Sequence, residues 1–133
     1  KLKPYRTEWA IYDEETRIAG TLDFLNFQDG EFTIFDWKRS NKIIICGQLE
    51  KCNKWGKRAF NPISHIHDTT YWHYALQVSI YRYILEKNYG IRVSNSKLAV
   101  FHPLWRADHP VSGCHSDDHQ WSGAVYHRVY VPQ

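Results

Sequence analysis

Between two runs of strand-type sequence stands the dipeptide Asp29-Gly30, which narrows the fold more than any other part of the chain. Asp-Gly accepts the positive φ angles of a tight hairpin. Residues 17–27 (RIAGTLDFLNF) and 31–38 (EFTIFDWK) are therefore expected side by side and antiparallel. Residues 8–12 (EWAIY) read as an earlier strand, closed by a turn over Asp13-Glu14-Glu15-Thr16. The chain thus opens as a meander.

Residues 70–88 carry the strong helical signal. Leu76, Ile80, Tyr83 and Ile84 fall at helical spacing. Asp68 or Thr69 caps the start, Lys87 lies in the last turn, and Gly90 suits the residue after the C-cap. Residues 96–102 and 124–131 read as later strands, and Ile43-Ile44-Ile45 as an extension of the sheet. Residues 47–62 and 103–122 read as loops. The order β-β-β-α-β-loop-β predicts an α/β fold, with a sheet of mixed direction and helix on at least one face.

A length of 133 residues predicts a single domain, 1–133. With 43% apolar and 23% charged residues the composition is that of a globular chain rather than a disordered one. No apolar run approaches the roughly 18 residues of a membrane helix. The start, Lys1-Leu2-Lys3-Pro4, has no signal-peptide core, and methionine is absent throughout. The expectation is a piece excised from a longer polypeptide. Cys46, Cys52 and Cys114 are odd in number and at no CxxC spacing, which suits free thiols in a reducing, intracellular compartment, cytoplasmic or nuclear.

Charge is unevenly spread. Residues 8–36 hold eight acids and one base; residues 38–58 hold seven bases and one acid. Such a division suits a cation site beside a polyanion track, or two solvated surfaces.

Within the meander, Asp23 follows Gly20-Thr21-Leu22 on one strand and Asp36-Trp37-Lys38 ends the next. Strand alternation points Asp36 and Lys38 to one face and sends Trp37 to the other, where it is expected in the core. The hairpin sets Asp23 beside Asp36. Two carboxylates and a lysine then share one patch of sheet. Close carboxylates repel unless a cation sits between them, and hard oxygen ligands with room for water suit Mg²⁺ or Mn²⁺. The lysine can orient a water or stabilise charge at phosphorus.

The pattern D-x₁₂-D-x-K across a hairpin resembles the signature of the PD-(D/E)XK nucleases, with Asp36 in place of the commoner Glu. Gln77-Val78-Ser79-Ile80-Tyr81 resembles the QxxxY motif of the RecB-like group, its ends one turn apart on the helix. Glu8, ahead of Gly20-Thr21-Leu22-Asp23, is similar to the upstream acid of that group. The resemblance spans residues 8–81 and implies a restriction-endonuclease-like fold, a mixed central sheet flanked by helices. It implies a Mg²⁺- or Mn²⁺-dependent deoxyribonuclease of recombination, repair or replication. Asp23, Asp36 and the Trp37 carbonyl would be metal ligands, with Glu8 assisting. Lys38 would be the catalytic lysine. Gln77 and Tyr81 would position the strand or the site. The expected partner is DNA, single-stranded or as duplex ends, with helicase or other replication domains fused or associated. The helix that such nucleases place before the first strand has no counterpart in residues 1–7. Three cysteines also cannot hold the Fe–S cluster of some members, so none is expected.

Two further stretches invite a role. Lys54, Lys57 and Arg58, with Lys51 and Trp55, interleave bases with an aromatic and suit substrate binding; a solvated insertion is the other reading. His102, His109, Cys114, His115, Asp117, Asp118 and His119 crowd the late loop, and Cys114-His115-x₃-His119 has zinc-type ligands at no known finger spacing. His65 and His67 are expected to be capping or surface groups. A catalytically silent nucleic-acid-binding module and a zinc-stabilised interaction domain are the alternatives to an enzyme.

Overall fold

A computed structural model describes residues 1–45, 48–101 and 125–128, with the backbone alone at 45, 48 and 125–128. Among the described residues, seven strands and one helix run in the order β1 (Pro4–Asp13), β2 (Ile18–Gln28), β3 (Glu31–Arg39), β4 (Ile44–Ile45), β5 (Gln48–Leu49), α1 (Thr70–Asn88), β6 (Val93–Phe101) and β7 (Val125–Arg128). Five form one mixed sheet in the order β1-β2-β3-β6-β7. All neighbours are antiparallel except β3 and β6, which are parallel. A parallel pair needs a long crossover, and α1 lies within it. The architecture is α/β, with a mixed sheet and one helix among the described residues.

Local chemistry explains the turns. Asp29 and Gly30 both adopt positive φ (54° and 81°), and Gln28 pairs with Glu31 around them. At the β1–β2 turn, Asp13 Oδ2 accepts from the Thr16 amide at 3.0 Å and the Thr16 hydroxyl at 2.6 Å. Thr69, not Asp68, caps α1, its side chain accepting from the Trp72 amide. Asp68 instead pairs with His73 at 2.8 Å. Gly90 turns left-handed (φ 65°) beyond the C-cap, and the Ile91 amide reaches back to the Leu85 carbonyl.

The core lies between α1 and one face of the sheet, built from Ile11, Leu22, Leu25, Ile34, Leu98 and Val100 against Tyr71, Ala75, Val78, Tyr81, Ile84 and Leu85. Of the four apolar positions whose spacing marks the helix, only Ile84 is buried. Leu76 is half-buried, while Ile80 and Tyr83 are exposed. The helix carries apolar residues on more than one face, so the sheet selects which stripe is buried. Ile43 and Ile44 are buried but do not extend the sheet; β4 pairs with β5 in a separate two-stranded ribbon. The strand expected over residues 8–12 begins at Pro4, because its early residues find partners on β2. The strand expected over 96–102 runs from Val93, paired along β3.

Trp37 is not in the core. It is 37% exposed, stacks with Phe35 and lies tilted against Phe24, at centroid distances of 6.0 and 5.9 Å. Alternation does send it to the face opposite Asp36, but among the described residues α1 covers only the other face. The late His- and Asp-rich loop, with the zinc reading placed on it, lies outside the described residues, as do Cys46 and Cys114. No helix among the described residues is long and apolar enough to cross a membrane.

Candidate active site

The register of the meander assembles the site. The last β2–β3 pair is Phe24 with Phe35, so one step further Asp23 lies across from Asp36. There Asp23 Oδ2 accepts from the Trp37 amide at 2.8 Å. The carboxylate satisfies the strand where the ladder stops, and it is tied to the backbone between Asp36 and Lys38.

Asp36 is 2% exposed. Lys38 Nζ lies 2.8 Å from Asp36 Oδ2, with its side chain 17% exposed. The ammonium is thus the partner that meets the buried Oδ2. Burial pushes the Asp36 carboxyl above the usual carboxylate value; the Lys38 ammonium opposes this, and the charge of Asp23 adds to the rise. Lys38 Nζ also sits 4.5 Å from the centroid of the Tyr74 ring. The ammonium is thus held between a carboxylate and an aromatic face.

Glu8 occupies the same row of the sheet. Thr7 pairs with Phe24 and Trp9 with Leu22, which brackets Glu8 against Asp23. Its side chain is exposed and its φ is 46°, a left-handed angle that few non-glycine residues adopt. Core-facing positions on β2 change parity across this point, since Leu22 and Leu25 are both fully buried. The register is the same on either side of Glu8, and the β1–β2 shift lies further back, between Pro4 and Arg6. Among the described residues no three His, Cys, Asp or Glu side chains gather into a group able to hold a metal ion. The structure therefore brings Asp23, Asp36 and Lys38 together, and aligns Glu8 along the sheet without bringing its carboxylate into the group.

Gln77 and Tyr81 meet each other, Gln77 Nε2 donating to the Tyr81 hydroxyl at 2.8 Å. Tyr81 is buried against Gly20, where an added Cβ would come within 2.5 Å of the Tyr81 ring. Gly20 is required by this close approach, three residues ahead of Asp23. The pair braces β2 from the helix.

Lys54, Lys57 and Arg58 are exposed on the loop before α1. Arg58 donates to the His65 carbonyl at 3.1 Å and pairs across a bridge with His67. The His67 ring is engaged rather than free at the surface, its Nδ1 accepting from the Asn53 amide. Cys52 is a free, exposed thiol.

Two features escaped the sequence reading. Tyr74 contacts Lys38, and its signal was the spacing Tyr74, Gln77, Tyr81 along one helix face. A cavity of about 460 Å³ opens beyond Lys38, lined by Arg39, Ser40, Asn41, Lys42, Thr70, His73 and Tyr74. It joins the end of β3 to the first turn of α1, a contact between segments 30 residues apart that no local pattern announces. Compared with known proteins, the chain matches no family model and no curated sequence.

Proposed function

We propose that this chain is a metal-dependent nuclease of the PD-(D/E)XK type, with a RecB-like site on a restriction-endonuclease-like fold. The observation that carries the reading is the buried Asp36, set beside the Asp23 carboxylate and the Lys38 ammonium. A buried carboxylate beside a second one is costly to ionise, and a cation bound between them would offset that cost. The donor set is hard oxygen, which suits Mg²⁺ or Mn²⁺. Asp23, Asp36 and the Trp37 carbonyl would hold the ion. When bound, it would polarise a phosphate oxygen and make a water easier to deprotonate.

The chain's own residues supply the rest. Lys38, aimed by Asp36 and Tyr74, orients the attacking water and stabilises charge on the phosphoryl group as the phosphodiester bond breaks, leaving a 5′-phosphate. Gln77 and Tyr81 hold β2, and through it Asp23, in place. Glu8 lines the approach to the carboxylate pair. Lys54, Lys57 and Arg58 bind the backbone of DNA, presented as single strands or duplex ends. Such an activity belongs to recombination, repair or replication, with helicase or other replication domains as fused or associated partners.

The test is cleavage of end-labelled linear and circular DNA with Mg²⁺, Mn²⁺ or EDTA. Metal-dependent cleavage is expected, with Lys38→Ala slower by about 10²–10³-fold, the usual loss of one charge-stabilising group. Circular substrates separate endonuclease from exonuclease action. One observation favours a second reading, a silent nucleic-acid-binding module: among the described residues no third metal-type side chain joins the carboxylate pair. DNA binding without cleavage in either metal would select it.

A further inference from the structure

The loop between β5 and α1 presents two aromatic rings to solvent. Trp55 is 76% exposed and Phe60 91%, the highest values among the exposed large apolar side chains. Single exposed apolar residues are ordinary, but two in six residues, on one ordered loop, are not. The loop is held by its own hydrogen bonds. Asn53 Oδ1 accepts from the Trp55 and Lys57 amides at 2.9 and 3.2 Å. Residues 57–59 pair with 66–68, Ala59 donating to Ile66 and Asp68 to Lys57. Phe60 then opens a turn, its carbonyl accepting from the Ile63 amide at 3.0 Å. The rings are carried on a shaped scaffold.

Charge selects the occupant. Residues 51–67 contain Lys51, Lys54, Lys57 and Arg58 and no acid. Lys54 Nζ lies 5.4 Å from the Trp55 centroid and steadies the indole while leaving it exposed. Aromatic faces among cations match a polyanion that offers flat, unstacked rings. A duplex keeps its base faces buried in the stack and cannot offer them. The loop is also fastened to the candidate site's helix: Asn53 Nδ2 donates to the Asp68 carbonyl, and Trp72 Nε1 to the Lys51 carbonyl. Two residues on, Tyr74 lines the cavity with Arg39 and Lys42 and meets Lys38.

We propose that Trp55 and Phe60 form a stacking site for unpaired nucleobases, whose strand passes along Arg39 and Lys42 toward Lys38. The inference shares a nucleic-acid ligand with the proposed function but needs none of its chemistry.

The test is fluorescence anisotropy of the chain with labelled oligothymidylate and with a duplex of equal length, in EDTA over a range of salt. Trp55→Ala and Phe60→Ala are each expected to weaken single-strand binding about five- to hundred-fold, with the salt slope unchanged. Phe60→Trp should restore binding, whereas Phe60→Leu should not, which separates a ring effect from misfolding or lost bulk. Lys54→Ala with Lys57→Ala should instead flatten the salt slope. Wild-type single-strand affinity in both alanine variants, or equal losses on duplex, would overturn the proposal. Because EDTA removes cleavage, loss of the nuclease reading leaves this result standing. A cleaving enzyme whose loop variants bind normally would retain the nuclease and sink the stacking site.

Discussion

Asp36 is a charged group placed where charge is costly. Its folded pKa is raised, so it weakens the fold when ionised and does so less as pH falls through that raised value. Asp36→Asn is expected to melt higher than the wild type in EDTA while losing metal-dependent cleavage, a separation read by paired melting curves and nuclease assays. Lys38→Ala leaves the carboxylate without its ion pair and should cost about 1–3 kcal/mol, less than a fully buried pair because Lys38 is partly open to water. Raising pH should deepen that loss, and lowering it should recover stability as Asp36 takes up a proton. At Gly20, backbone angles are not the issue; space is. Gly20→Ala drives a methyl into the buried Tyr81 ring and should destabilise by about 1–3 kcal/mol, as measured by denaturant unfolding. Glu8 presents the opposite case. Its left-handed φ predicts that Glu8→Gly is more stable than Glu8→Ala by about 1 kcal/mol.

At the scale of elements, the β1–β2 turn is clamped to the far end of α1. Asn88 donates to Asp13 Oδ1 at 2.8 Å, and Lys87 lies 3.1 Å from the same carboxylate oxygen. Hydrogen bonds from Asn88, Thr16 and Lys87 hold the Asp13 carboxyl well below its usual range, while Glu15 and Asp13 hold the Lys87 ammonium protonated well above its own. The folded-state pKa of Asp13 is depressed, so its contribution is present above the unfolded value of about 3.9 and fades as pH falls below it. Asp13→Asn should therefore lower stability at neutral pH and show a shallower further loss on acidification. Acid titration followed by circular dichroism checks both slopes.

For the whole molecule, the meander and its hairpin set the site row, and α1 braces it from one side. Anything that binds the folded carboxylate pair stabilises the entire sheet by mass action. Mg²⁺ or Mn²⁺ should raise the melting temperature of the wild type and leave that of Asp36→Asn unmoved. Much of this was legible beforehand because it is local. Turn chemistry at Asp29-Gly30 and strand alternation were enough to pair Asp23 with Asp36 and to put Lys38 on the same face as Asp36. The helix boundaries followed from Thr69 and Gly90. What local rules left open was decided by packing between distant segments. The sheet chose Ala75, Val78 and Tyr81 over Ile80 and Tyr83 as the buried stripe, because α1 is apolar on more than one side. Among the described residues α1 covers only the other face, which leaves Trp37 exposed, although alternation had placed it on the correct face. The contact of Tyr74 with Lys38, the cavity beside Arg39, and the need for glycine at position 20 exist only once α1 has crossed back over the sheet, since each joins residues that are neighbours in space and remote along the chain.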